Sequence, residues 1–529
     1  MSYKVVIPTA GIGSRLGSET QSLNKSLITL GNKPIISRII EKFPANCEFI
    51  ILIGFKGELV RDYIKIAHGN LNLTFIKVKN FSGKGSGLGL SLSKAKKKLN
   101  KPFVFASCDT IVSEKIPSPN TNWLGYSSDK RMLKSYRTIS LKNKKFVNNF
   151  YEKGKLSKNI FPYIGLAGFK DPELFWSILK NASQKDFLKG ESYCIDQLLK
   201  VKKFKAYKFK WMDTGNIKKL NIYKKIFLIN NCYNILEKKD EAIWFIKDKV
   251  IKFSLDKNFI KKRFNRSVYI KKFIPKLLSK YKNFYSYKKE NGSTVSSVIN
   301  LRIFKKLMSH CERFWKIDQK INYKKKKTYL NFYKHKTFSR IEKFYQENDV
   351  TDKIEIINNI ETPKLSSMLK KIDWKNLSRG IPTTFHGDLH FENILINKKK
   401  KFIFLDWRQD FQNSIKKGDL YYELGKLLHG MIVSHEEVFK DNFKIVRNSK
   451  KIKFFIKTKK EVISCRNYLY QWARNKKLDI NKINLITSLI FLNIAPLHHV
   501  PYRFFLYYLG KYLLCLSLKQ RNIGLYEKA

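Results

Sequence analysis

"YKVVIPTAGIGSRLGSETQSLNK", residues 3 to 25, runs from an apolar, β-branched segment straight into glycines. The first part reads as a strand buried on both faces. A Gly-rich turn directly after such a strand presents backbone N–H groups without side-chain obstruction, which suits a phosphate. Gly11, Gly13 and Gly17 spell G-x-G-x-x-x-G, a poor fit to a dinucleotide fingerprint, and Arg15 stands in the middle where that fingerprint needs no cation. Arg15 and Lys25 are placed instead for a triphosphate, whose charge calls for fixed cations. The competing reading is a plain turn with Arg15 as one more surface cation.

Outward from this stretch the two periods alternate. "EFIILIGF" (48 to 55), "LTFIKV" (73 to 78) and "PFVFASCD" (102 to 109) are further strand-like runs. "PIISRIIEKF" (34 to 43) and "GELVRDYIKIA" (57 to 67) space their apolar residues three or four apart, as helices packed on a sheet do. The order predicts an α/β fold, a doubly wound, mostly parallel sheet with its ligand at the carboxyl ends of the strands. Asp109 closes the fourth strand, and Asp213 in "WMDTGN" (211 to 216) precedes a helical pattern at 217 to 236. Singly each acid reads as a cap or turn residue. Together they can share a Mg²⁺ that also meets substrate phosphates.

The chain has 529 residues, more than one core usually supports, and a fresh strand pair begins at "EAIWFIKDKVIKFSL" (241 to 255). The boundary is expected near residue 235, with domains at 1–232 and 236–529. The formal charge of +64 suggests nucleic acid or an anionic membrane, but the excess is lysine spread over nearly every segment rather than arginine gathered on one face. Runs such as "KAKKK" (94 to 98), "KKKK" (324 to 327) and "NKKKK" (397 to 401) read as solvated faces. No specific nucleic-acid partner is expected, although charge-driven docking on a polyanion or lipid stays an open alternative. Seven scattered cysteines without C-x-x-C spacing, and an N-terminus without a signal pattern, fit a cytoplasmic protein. "INLITSLIFLNIAPLHHVPY" (483 to 502) is interrupted by Asn, Pro and His, and reads as a buried helical hairpin rather than a membrane span.

The first 230 residues resemble the sugar-phosphate nucleotidyltransferase family, including members that activate phosphocholine-like compounds. The likeness rests on "AGIGSRL" with Thr20, "NKSLITLGNKPII" (24 to 36), "SGKGSGLGLSL" (82 to 92), "CDTIV", "YIGLAGF" (163 to 169), "GESYCIDQLL" (190 to 199) and "WMDTGN". It implies that a substrate phosphate attacks the α-phosphorus of a nucleoside triphosphate, CTP favoured, and releases pyrophosphate. Arg15 would hold the β- and γ-phosphates and Lys25 would offset charge at the reacting phosphoryl group. Asp109 and Asp213 would hold Mg²⁺, and Ala10, Gly11, Gly13, Gly83, Gly85 and Gly87 would line the nucleotide. Asn24 departs from the family, which usually has proline before this lysine.

A second motif lies far downstream. "HGDLHFEN" (386 to 393) with "KFIFLDWR" (401 to 408) sets an aspartate five residues before an asparagine and a strand-borne Asp406 behind them. An alcohol becomes a nucleophile once a carboxylate can take its proton, and an amide oxygen and a second carboxylate can hold Mg²⁺ against ATP. The segment resembles the aminoglycoside phosphotransferase and choline kinase group, which implies an α+β, protein-kinase-like domain with a largely helical C-lobe. By that likeness Asp388 is catalytic, Asn393 and Asp406 are metal ligands, and Asp419 in "GDLYYELGKLL" (418 to 428) braces the loop. His386 is a structural residue and His390 has no assigned role. Lys252 on the strand "KVIKFSL" would meet ATP phosphates, yet no glutamate lies between Asp256 and Lys289 to orient it. "YSYKKENGSTVSSVI" (285 to 299) resembles the inter-lobe segment.

The two sites suggest a bifunctional enzyme in which a kinase makes a phosphomonoester from a small alcohol, amino alcohol or sugar and a nucleotidyltransferase activates it, for surface polysaccharide synthesis. A non-catalytic kinase-like module, or a sugar kinase joined to a UDP-sugar pyrophosphorylase, are the alternatives.

Overall fold

The four N-terminal apolar runs become the strands Lys4–Pro8, Glu48–Ile53, Asn72–Lys77 and Phe103–Ala106 in a computed structural model of the chain. The structure describes residues 3–131, 133–155, 157, 159–229, 240–316 and 327–519. By Cα packing it divides into two units, Met1–Asp256 with Leu278–Tyr287, and Lys257–Leu277 with Lys288–Ala529.

In the first unit Lys4–Pro8 pairs in parallel with Glu48–Ile53 on one side and Phe103–Ala106 on the other, and Asn72–Lys77 extends the parallel set. The helix Gly57–His68 buries Val60, Tyr63, Ile64 and Ala67, the three-or-four spacing legible in the sequence. Strand order reverses between Lys4–Pro8 and Phe103–Ala106, which opens a crevice at their carboxyl ends. The residues leaving those ends are the glycine loop and Ser107–Asp109. The run of four parallel neighbours ends there. Ile160–Phe169 joins Phe103–Ala106 antiparallel, and the nine-stranded sheet continues as a mixed sheet.

The strand pair Glu241–Ile246 and Lys249–Ser254 packs with the first unit, although the sequence assigns it to the second domain. The reason is Trp244. It is fully buried against Tyr63, with ring centroids 5.0 Å apart, and its indole N–H donates to Thr29 Oγ1 at 2.8 Å. Ile246, Ile251, Phe253 and Phe284 join the same core. The expected boundary at 232 to 236 lies outside the described residues, as does most of the lysine run at 324 to 327.

The second unit is α+β. Gly292–Thr294, Ile394–Asn397 and Phe402–Phe404 form an antiparallel sheet, accompanied by the helices Leu301–Trp315, Leu420–Ile432, Lys460–Asn475 and Tyr502–Leu518. The region after 301 also holds a four-stranded sheet absent from the sequence reading: Glu355–Ile357, Ile360–Thr362, Phe443–Asn448 and Lys451–Ile456. Its signal is the strict alternation in "KIKFFI", where every second residue is buried. Helices Ile480–Ile494 and Tyr502–Leu518 form the C-terminal hairpin. Among the described residues one segment, Ile480–Leu497, is apolar and long enough to cross a membrane, and 67% of it is buried within the protein.

Candidate functional site

Gly13 holds a left-handed φ of 73°, and a β-carbon there would come 3.1 Å from Lys25 Cβ and 3.2 Å from Thr20 Cγ2. The turn thus needs glycine both for its backbone and for the close approach of Lys25. Ala10 is buried and its carbonyl accepts the N–H of Phe55, whereas Gly11 and Arg15 are exposed. Asn24 replaces the expected proline without disturbing the loop. Its φ of −69° and ψ of 146° are values proline adopts. Its side chain donates to the carbonyls of Thr9 (2.9 Å) and Phe55 (2.7 Å) and accepts the N–H of Ser26 (2.9 Å), fixing the turn that carries Lys25.

Lys25 Nζ lies 3.0 Å from Asp109 Oδ2, and Ser107 Oγ donates to Asp109 Oδ1 at 2.5 Å. Burial disfavours both charges and is the largest single effect, but neighbouring charges and hydrogen bonds together outweigh it. Lys25 is held above the usual lysine pKa and Asp109 below the usual carboxylate range. Asp213 reaches the same place because Trp211–Asp213 pairs antiparallel with Thr110–Val112, opposing Asp213 to Thr110. Its carboxylate accepts the N–H of Gly215 at 2.9 Å and the hydroxyl of Tyr136 at 2.6 Å. A β-carbon on Gly215 would come 2.8 Å from Asp109 Oδ2 and 3.3 Å from Asp213 Oδ1, so the two acids face one space. Two hard oxygen donors fit Mg²⁺, which takes one or two carboxylates and completes its shell from phosphate and water.

Gly83 and Gly85 have φ of 80° and 81° with open space around them. Gly87 differs: a β-carbon would meet Leu188 at 2.9 Å, so this glycine serves helix packing. The segment "GESYCIDQLL" brings in Glu191, buried, with Oε2 lacking a hydrogen-bond partner; the Tyr163 hydroxyl and Thr138 Oγ1 are likewise unpartnered. Burial pushes the Glu191 carboxyl up to about 7, against the opposing charge of Arg137. Tyr136 and Arg137 were not legible as site residues, because neither lies in a quoted segment, and Ser107, inside "PFVFASCD", carries no signal of its own.

In the second unit Asp388 and Asn393 meet: the Asn393 amide nitrogen donates to the Asp388 carbonyl at 2.9 Å and its carboxylate at 3.2 Å. The amide oxygen is thereby left to face elsewhere. Asp406, with a left-handed φ of 54°, follows the strand Phe402–Phe404, whose partner strand starts just after Asn393. The hairpin therefore sets both residues at one end. Asp406 Oδ1 also holds Arg263 Nη1 at 2.5 Å, from the helix Lys257–Ile270 in which the sequence shows no glutamate. A cation bound by Asn393 and Asp406 would share that carboxylate with a guanidinium. Lys252 is buried on Lys249–Ser254, opposite Ile243, and packs with the first unit.

Three contacts here were not anticipated. Lys426 Nζ, from the helix Leu420–Ile432, lies 2.7 Å from Asp388 Oδ1. His390 sits between Asp388 (3.6 Å) and Glu392 (2.9 Å), whose charges outweigh its burial and raise it to about 9. Glu423 accepts the backbone N–H groups of His386 at 2.7 Å and Gly387 at 2.6 Å. The bracing expected of Asp419 therefore falls to Glu423. Asp419 caps its own helix through the N–H of Tyr421 and accepts from Ile381 and Tyr333. His386 is fully buried and held neutral by burial, its pKa lowered to about 3, with Nε2 2.7 Å from the Leu405 carbonyl.

No protein-family model matches the chain. Over 63 residues, 11% of the chain, it is 40% identical to a probable glucose-1-phosphate cytidylyltransferase of Bacillus subtilis (strain 168), covering 24% of that protein. The N-terminal region is similar to sugar-phosphate nucleotidyltransferases. A second such match, 40% identical over 72 residues or 13% of the chain, is to bifunctional protein GlmU of Methanococcus vannielii, covering 17% of it. The chain thus spans about a quarter or less of the length of these curated relatives. Among solved structures, a UDP-glucose pyrophosphorylase complexed with UDP-glucose aligns over 44% of this chain and 100% of its own at 18% identity and a TM-score of 0.38. A CTP:phosphocholine cytidylyltransferase from Streptococcus pneumoniae aligns over 43% and 99% at 17% identity and 0.35.

Proposed function

We propose that the first unit is a nucleotidyltransferase that joins a phosphomonoester to a nucleoside monophosphate unit taken from a triphosphate, CTP favoured. The observation that carries this reading is the convergence of Asp109 and Asp213 around Gly215, beside Lys25 and the glycine turn. A substrate phosphate oxygen bonds to the α-phosphorus as the bond to the β-phosphate oxygen breaks, and pyrophosphate leaves. The attacking phosphate is already anionic, so the residues position and neutralise rather than transfer protons. Mg²⁺ held by the two aspartates would offset phosphate charge. Lys25, bonded to Asp109, and Arg15 on the glycine turn supply cations, and the unpartnered oxygens of Glu191 and Tyr163 suit polar groups of the acceptor. Incubating the full chain with each triphosphate, Mg²⁺ and a panel of sugar and amino-alcohol phosphates, with products weighed by mass spectrometry, tests this. The account expects a nucleoside diphosphate conjugate, lost in Asp109→Asn.

The second unit is read as a small-molecule kinase that supplies such a phosphomonoester. Asp388 takes the proton of an alcohol as its oxygen bonds to the γ-phosphorus of ATP and ADP leaves; Asn393 and Asp406 would hold Mg²⁺, which would offset phosphate charge. Support comes from the loop itself: Glu423 and His386 fix its backbone while about 40% of the Asp388 side chain stays exposed. Alcohol-dependent ADP release that survives Asp388→Asn would refute this second reading.

A further inference from the structure

Around Asp388 the cations outnumber the acids. Lys426 is already bonded to its carboxylate. Arg408 lies next to it: its backbone N–H donates to the His386 carbonyl at 2.9 Å, and a β-carbon on Gly387 would fall 2.6 Å from Arg408 Cβ. Lys336 and Arg408 both lie against the same aromatic ring, with Lys336 Nζ 4.5 Å and the Arg408 guanidinium carbon 5.0 Å from the centre of Phe332. Arg340 stands one turn along the same helix, Lys336–Glu347, and so on the same side as Lys336.

None of Lys336, Arg340 and Arg408 pairs with a carboxylate among the described residues, and Arg408 Nε is buried without a hydrogen-bond partner. Burial and then the charges of Arg408, Lys426 and Arg340 pull Lys336 well below the ordinary lysine pKa, and Asp388 opposes them. Like charges gathered in a partly buried place are destabilising unless an anion joins them. A cationic acceptor such as choline would meet the same repulsion.

We propose that the acceptor alcohol of this site carries an anionic group, a phosphate or a carboxylate, which Lys336, Arg340 and Arg408 bind while its hydroxyl lies at Asp388. The proposal rests on the reading of Asp388 as the proton acceptor, and it replaces the amino alcohol as the preferred substrate class. In the transfer the hydroxyl proton passes to Asp388, the oxygen bonds to the γ-phosphorus as its bond to the β-phosphate oxygen breaks, and ADP departs. The bound anion takes no covalent part. Arginine suits this task because its planar fork matches carboxylate and phosphate oxygens in pairs.

Calorimetry on the full chain without ATP tests it, with glycerol, glycerol 3-phosphate, glycerate and choline as probes. Glycerol 3-phosphate and glycerate together, or one of them, are expected to bind at least tenfold more tightly than glycerol or choline. Arg340→Gln and Lys336→Gln should each weaken that binding about tenfold, whereas Lys370→Gln, on an exposed surface position, should not. Which anion responds separates phosphate from carboxylate recognition. Choline or glycerol binding as tightly as the anions, or anion binding indifferent to both substitutions, or no anion binding at all, would overturn the proposal. Phosphate transfer from ATP to the bound probe is followed in parallel. Arg340-dependent binding with no transfer would retire the role given to Asp388 and leave the anion pocket standing.

Discussion

Glu423 Oε1 accepts the N–H of Gly387 at 2.6 Å, thirty-six residues away in sequence, while Oε2 accepts that of His386 at 2.7 Å. One buried carboxylate thus satisfies two consecutive amides of the loop that ends in Asp388. Glu423→Gln keeps the shape but offers one oxygen where the two amides and the Trp315 indole N–H (3.2 Å from Oε2) all donate, so an N–H is left facing an NH₂ group. The expected loss is about 1–3 kcal/mol of unfolding free energy. Urea titration measures it, and alcohol-dependent ATP turnover should fall more steeply than stability alone explains.

Gly215→Ala addresses the first site with a single methyl group. The backbone at Gly215 lies outside the left-handed region, so alanine meets no conformational penalty there, but its β-carbon would come 2.8 Å from Asp109 Oδ2. Displacing that carboxylate by about 1 Å is expected to cost on the order of 10²-fold in pyrophosphate release. The melting temperature should change little, and a variant with full activity would show that the space between the two aspartates is not used.

Asn24 gives a stability prediction with two arms. Asn24→Ala removes the partners of the Thr9 and Phe55 carbonyls and of the Ser26 N–H, at a cost of about 2–3 kcal/mol. Asn24→Pro loses the same bonds, but its ring fixes the φ of −69° that the chain already has, returning about 0.4–1 kcal/mol through the unfolded state. Denaturant unfolding should therefore rank Asn24 above Pro above Ala.

The buried Glu191 makes a pH prediction whose sign follows from its raised pKa of about 7, caused by burial. Between the unfolded value near 4.3 and about 7, the folded state holds the proton more tightly than the unfolded chain does. Its contribution to stability is complete below about pH 4.3 and is lost as pH rises through 7. Glu191→Gln mimics the protonated form at every pH. Thermal unfolding from pH 5 to pH 8 should show the variant gaining on the parent as pH rises, and a constant offset would contradict the assignment.

The parallel strands were legible because runs such as "EFIILI" are buried on both faces and need no partner to be identified as strands. That Asp109 would meet Asp213, and Asp388 meet Asn393, was legible because the first two stand at strand ends and the last two are five residues apart on one turn. What stayed hidden is what tertiary packing decides. Glu423 and Lys426 lie in "GDLYYELGKLL" and His390 in "HGDLHFEN", yet their order along the chain does not say which of them holds the loop backbone and which meet Asp388. Similarly, Trp244 reads as a strand residue of the second domain, and its burial against Tyr63 in the first unit emerges only from the fold.

In the function proposed above, Asp109 and Asp213 act together on a divalent cation and a triphosphate. Binding of Mn²⁺ to the full chain in the presence of CTP, read by electron paramagnetic resonance, tests it most directly, with Asp109→Asn, Asp213→Asn and the double variant compared at equal concentration. The account predicts one nucleotide-dependent Mn²⁺ site that either single substitution weakens by at least tenfold, with no further loss in the double variant beyond that site. Undiminished Mn²⁺ binding in the double variant would contradict it.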